Sequence, residues 1–111
     1  MICFFTASQN FTHSKLLGTE QSLTLRCVTV DINKAIFFKL GIDNKGGCIA
    51  GGICITAIPG YETPSQEGTT ITEMVITSCN KSSDIGSWTC TYGGLPSDPI
   101  VITDCKSFHC F

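Results

Sequence analysis

The sequence has little charge, no long apolar run and almost no helical periodicity. Only 14% of its 111 residues are Asp, Glu, Lys or Arg, the formal net charge is -2, and the seven basic residues are scattered. No patch can therefore neutralise a run of phosphates, and nucleic acid is not an expected partner. The longest apolar runs, AIFF at 35–38 and CIAGGICITAI at 48–58, fall well short of the roughly 20 residues a spanning helix needs, so no membrane span is expected. No window of a dozen residues sustains apolar positions at i, i+3, i+4 and i+7, which leaves strands as the building material.

The constellations that carry catalysis are missing too. There is no G-x-S-x-G elbow, the nine carboxylates form no recognisable pair, and the two histidines lie far apart, His13 reading as a loop residue and His109 as a tail residue. KGG and AGGI lack both a following helix and a G-K-[ST] ending, so they read as turns and not as phosphate cradles. Cys48, Cys54, Cys105, His109 and Cys110 could in principle hold a metal, but none has the short C-x-x-C spacing of a structural zinc site, and bridges suit their spacing equally well. The reading is a protein that is not an enzyme and needs no metal or cofactor.

What is abundant is cysteine: eight in 111 residues, an even number. Thiols at that density are liabilities in a reducing compartment and staples in an oxidising one, which points to an extracellular location. Two glycosylation sequons, Asn10-Phe11-Thr12 and Asn80-Lys81-Ser82, agree, and both fall beside expected strand ends in exposed turns. Residues 1–8 lack the basic start and apolar length of a signal peptide, so the chain reads as a mature protein or an excised domain, with room for further domains in a full-length protein. Its length suits a single domain, 1–111, able to bury roughly 65% of the surface of the unfolded chain.

Strands are legible by alternation. SLTLRCVTV at 22–30 sets Leu23, Leu25 and Cys27 against Ser22, Thr24 and Arg26, the period of two of a strand with one buried face. KAIFFKLGI at 34–42, a glycine-broken hairpin through 43–58, TTITEMVITSC at 69–79, SWTCTY at 87–92 and PIVITDC at 99–105 follow. The breakers NKGG, PGYETP and GGLPSDP space them as in a sandwich or barrel.

Two of these stretches carry a resemblance. GTEQSLTLRC at 18–27, followed by DIGSWTC at 84–90, is similar to the strand B and strand F signatures of the immunoglobulin superfamily, and the likeness extends over most of the chain. It implies an all-β, Greek-key antiparallel sandwich, variable-like or intermediate in type, with a Cys27–Cys90 bridge between its sheets. Two departures stand out. Trp88 occupies the place of the corner tyrosine and brings only an indole N–H donor, and the core tryptophan of strand C is absent, Phe38 being the best substitute. Placing Phe38 inward takes Ile36, Leu40 and Ile42 with it and turns Phe37 and Lys39 outward. The opposite register would bury Lys39 without a partner.

The remaining cysteines are Cys3, Cys48, Cys54, Cys79, Cys105 and Cys110. Two glycines between Cys48 and Cys54 suit a tight reversal and a local bridge, as some receptor-type variable domains carry near this region. If the first and last strands pair as in the family, Cys3 lies beside Cys105 or Cys110, and Cys79 takes what is left. By parity Thr89 and Thr91 face out beside Phe37 and Lys39, an outward face with nothing in the sequence assigned to cover its phenylalanine. The loops 30–34, 44–47 and 92–98 gather at sandwich ends or edges. The resulting expectation is an extracellular recognition, adhesion or receptor module, immune or host-surface in character, that binds a protein or a glycan through Phe37, Lys39, Thr89 and Thr91. The alternatives are a structural spacer within a larger glycoprotein and a secreted cysteine-scaffold toxin or inhibitor, which would lack a Cys27–Cys90 bridge. Expression in a glycosylating host should give a mass that drops on amidase treatment, with glycan mapped to Asn10, Asn80 or both; an unchanged mass would show both sequons empty.

Overall fold

The computed structural model describes residues 10–15, 23–56, 58–77, 83–104 and 107–110. In chain order its strands are β1 (Asn10–Lys15), β2 (Leu23–Val28), β3 (Ile36–Leu40), β4 (Asp43–Cys48), β5 (Cys54–Ile55), β6 (Ser65–Glu67), β7 (Ile71–Ile76), β8 (Gly86–Tyr92), β9 (Leu95–Pro96), β10 (Ile100–Asp104) and β11 (Ser107–Cys110). They form two antiparallel sheets. One has the order β1-β2-β7-β6; the other runs β11-β10-β8-β3-β4-β5, with β9 also paired to β8.

The two sheets bury their facing sides against each other. Leu25, Cys27, Met74 and Ile76 come from the first, and Ile36, Phe38, Trp88, Cys90, Ile100 and Ile102 from the second, all fully enclosed. Cys27 and Cys90 are joined across this core with 6.3 Å between their Cα atoms. The alternation that marks β2 and β8 as half-buried strands is therefore the alternation that fills the interior. Phe38 lies opposite Cys90 in the β3–β8 register and is 0% exposed, so the inward register of β3 is the one observed.

β3 is shorter than its sequence pattern suggests. It stops at Leu40, and the two-residue turn of Gly41 and Ile42 reverses the chain into β4, with the Gly41 N–H donating to the Ser87 carbonyl at 2.9 Å. Ile42 is consequently 94% exposed and not an inward residue, because hairpin geometry ends the alternation one position earlier. NKGG, read above as a loop, lies inside β4. A bulge at Lys45 absorbs the irregularity: Phe38 pairs with Gly46 and Lys39 with Asn44. Gly47 shows why the segment is glycine-rich. A Cβ there would stand 2.2 Å from the Ile36 carbonyl oxygen and 2.4 Å from the Phe37 ring, so only glycine lets the two strands close with that ring across them.

Other expectations are corrected by the pairing. Among the described residues β1 pairs with β2, and β10 has β8 on one side and β11 on the other, while the expected approach of Cys3 to Cys105 or Cys110 lies outside those residues. β11, paired antiparallel to β10, forms the edge of that sheet. His13 lies in β1 opposite Leu25 and His109 in β11 opposite Val101, so neither is a loop or tail residue. Asn10 opens β1 opposite Val28, at a strand end but not in a turn. Cys3, Cys79, Asn80 and Cys105, and the side chain of Cys110, lie outside the described residues.

Phe38→Ala should lower unfolding stability by about 3–5 kcal/mol, as a cavity in a packed core does. Phe37→Ala, removing a half-buried ring, should cost about 1 kcal/mol. Urea unfolding of both variants checks this; the reverse order would contradict the observed register.

Candidate recognition surfaces

The corner at the start of β8 organises one end of the molecule. Asp84 is 3% exposed and accepts a hydrogen bond from the Tyr61 hydroxyl, while its backbone carbonyl accepts one from the Trp88 indole N–H at 3.0 Å. The indole thus closes the corner that a tyrosine hydroxyl would otherwise close, four residues back along the chain. Tyr61 meets Trp88 edge to face, with ring centroids 6.1 Å apart, and the Lys45 ammonium sits 5.9 Å above the Tyr61 ring. Burial first, and then the Asp84 carboxylate, push the Tyr61 phenol far above its usual range, so it stays a proton donor to Asp84. A cavity of about 200 Å³ opens beside this group, and its ionisable lining residues are Lys45, Tyr61 and Asp84. Two of those three are bonded to each other, so the cluster holds a corner together.

The four residues expected to bind ligand do share a face. The β3–β8 register sets Phe37 opposite Thr91 and Lys39 opposite Thr89, and all four project away from the core. Their exposure differs from expectation. Thr91 is only 5% exposed, because Phe37 flanks it on one side and Pro96 of β9 on the other. Phe37 is half-buried over Gly47, so the ring has the intramolecular cover that the sequence did not reveal. Lys39 and Thr89 are also only partly exposed. The face exists, but it offers little apolar surface to a partner.

The opposite end offers more. Ile36 pairs with Cys48 on one side and Tyr92 on the other, so the segments 29–35, 49–53 and 93–94 all emerge at the same end. They are tied there: the Gly93 N–H donates to the Ala35 carbonyl at 2.9 Å, and the Tyr92 hydroxyl donates to Asp31. The Asn33 N–H also reaches the Asp31 carboxylate, at 2.9 Å, and the Lys34 ammonium lies 5.6 Å above the Tyr92 ring. Cys48 and Cys54 are joined across the β4–β5 pair and clamp the middle segment. On this scaffold Val30 is 74%, Ile53 64%, Leu95 60% and Ile49 43% exposed, and Ile55 follows along the β5 edge. The exposed large side chains at this end are thus aliphatic, and Asp31 and Lys34 belong to one of the same segments.

No family model, curated protein or solved structure matches the chain. Among the described residues no group of three or more metal-capable side chains occurs, and Cys48 and Cys54, bonded to each other, offer no thiolates. Sequence reasoning missed Val30, Ile49, Ile53 and Leu95. The signal was present in IAGGICI, where isoleucines flank a glycine turn that polar residues would ordinarily occupy. The two glycines mark the reversal, but a continuous apolar run does not show which of its residues are covered.

The Asp31 carboxyl is held below its usual range, first by the Tyr92 hydroxyl and then by the Asn33 N–H. A carboxylate whose folded pKa is lowered adds stability above its unfolded value and loses it as pH falls through the lower folded value. Tyr92→Phe should therefore be less stable than wild type near neutrality, and the gap should narrow below about pH 4. Thermal unfolding midpoints between about pH 7 and about pH 2 test this; a gap constant across that range would contradict it.

Proposed function

We propose that the chain is an immunoglobulin-like, Greek-key β-sandwich that works outside the cell as a recognition module and binds a protein partner through its apolar loop end. The observation that carries this reading is the gathering of Val30, Ile49, Ile53 and Leu95, from three separate segments, at one end of the sandwich. Scattered exposed aliphatic residues need no explanation, but several converging on one disulfide-clamped platform are the kind of surface a partner covers. The strand pairings β2–β7 and β3–β8 and the inter-sheet Cys27–Cys90 bridge support the family reading. That bridge also weighs against the toxin or inhibitor scaffold, which was expected to lack it. Disulfides are typical of extracellular proteins, in keeping with the proposed location.

A protein is favoured over a glycan by the chemistry of the exposed groups. Sugar rings are held by stacking aromatics and by side chains that hydrogen-bond hydroxyls, whereas residues 48–58 carry no charged, amide or aromatic side chain. Aliphatic anchors suit the desolvated centre of a protein interface. Phe37, Lys39 and Thr89 would then flank the contact and not form its centre.

The experiment is a binding screen against an array of extracellular protein domains and an array of glycans. For a protein partner found in this way, Ile53→Glu and Leu95→Glu should each weaken binding roughly thirtyfold or more. Lys39→Ala should change it less than about threefold, and Glu62→Lys, exposed beside Tyr61 at the opposite end of the sandwich, should leave it unchanged. A partner indifferent to both loop-end substitutions, or a glycan hit in place of a protein, would overturn the reading.

A further inference from the structure

The two disulfides among the described residues differ in accessibility. Cys27 and Cys90 are both 0% exposed, lie between the sheets and are 63 positions apart. Cys48 and Cys54 are six apart at the edge of one sheet; Cys48 is buried, but Cys54 is partly exposed. Between them Ile49, Ala50, Gly51, Gly52 and Ile53 all face solvent. This turn depends on Gly51 and Gly52, at φ 97° and 95°, and is closed by bonds from the Ile49 N–H to the Ile53 carbonyl and from the Gly52 N–H to the Ile49 carbonyl. β5 itself holds to β4 through only two residue pairs, whereas β3 holds to β4 through five and to β8 through five.

We propose that Cys48–Cys54 is a redox switch for the loop end, opened in the folded protein by a protein or small-molecule dithiol while Cys27–Cys90 stays closed. Thiol–disulfide exchange requires a thiolate to reach a sulfur, and of the four sulfurs only that of Cys54 belongs to a residue open to solvent. One thiolate of the dithiol attacks Cys54 Sγ, the S–S bond breaks, and its electron pair leaves on Cys48 Sγ, which takes up a proton. The second sulfur of the dithiol then attacks the mixed disulfide and releases Cys54, which is protonated in turn. The dithiol loses two electrons and two protons to become a disulfide, and the protein gains them as two thiols. A bridge closing so short a loop constrains the unfolded chain far less than one spanning 63 positions, so its loss leaves the sandwich standing. It releases β5 and the turn before it, and with them Ile49, Ile53 and Ile55. The consequence for partner binding rests on the proposed function; the selective opening does not.

The test uses the whole folded chain with dithiothreitol as the dithiol. After graded exposure, thiols are alkylated with one tag, the protein is unfolded and fully reduced, and a second tag marks the remainder for peptide mass spectrometry. Cys48 and Cys54 should acquire the first tag at least about tenfold faster than Cys27 and Cys90. Circular dichroism should be retained, and amide exchange should rise across 49–55 but not in β3 or β8. Simultaneous tagging of all four, earlier tagging of Cys27 and Cys90, loss of the dichroism signal as the edge pair opens, or unchanged exchange at 49–55 would each overturn the switch. A Cys48→Ser, Cys54→Ser double variant should reproduce the raised exchange without reductant, and failure to do so would also overturn it. None of these readouts needs a partner. Retained partner binding in Ile53→Glu would remove the recognition reading while leaving the switch in place.

Discussion

The bond between Cys27 and Cys90 sets the parity of both sheets. Once those two residues point inward, every second residue along β2 and β8 must do so as well, and the register of β3 against β8 transfers that parity to Ile36 and Phe38. Trp88 follows Cys90 by the same step of two, which places its indole where it can reach back to the Asp84 carbonyl. Core, corner and the outward disposition of Phe37 and Lys39 are thus consequences of one covalent constraint acting through a period of two.

Features that depend on alternation were legible in the sequence for this reason. Leu25, Cys27, Phe38, Trp88 and Cys90 could each be assigned a side from their neighbours alone, and the choice of Phe38 over Phe37 followed from refusing to bury Lys39. Features that depend on how two segments approach each other were not legible. NKGG looks like a turn from composition, and only the position of the Phe37 ring explains why a strand there must be glycine. Ile42 continues a pattern that a two-residue turn interrupts. Thr91 has outward parity but is enclosed by Phe37 and by β9, a strand of two residues hidden within a stretch that reads as a loop.

The same limit governs the candidate site. A face of a strand can be read from sequence; a surface assembled from three loops cannot, because its members share no period. Val30, Ile49, Ile53 and Leu95 come to the same end because Ile36 is paired on both sides at the place where β4 ends and β8 ends. Ser97 illustrates how closely that end is finished: its hydroxyl accepts the Cys90 N–H at 2.9 Å where the strand pairing with β9 gives way before β10 begins. A side chain here stands in for a strand and keeps the buried N–H satisfied.

Trp88 is the only tryptophan in the chain, and it is fully enclosed at the corner beside Tyr61. Intrinsic fluorescence therefore comes from one known place. Emission from an indole in a dry, close-packed setting lies at shorter wavelength than emission from one in water, so a red shift reports the opening of the sandwich itself. The loop end lies at the far end of β8 from that indole, and changes confined to it should pass without an optical signature.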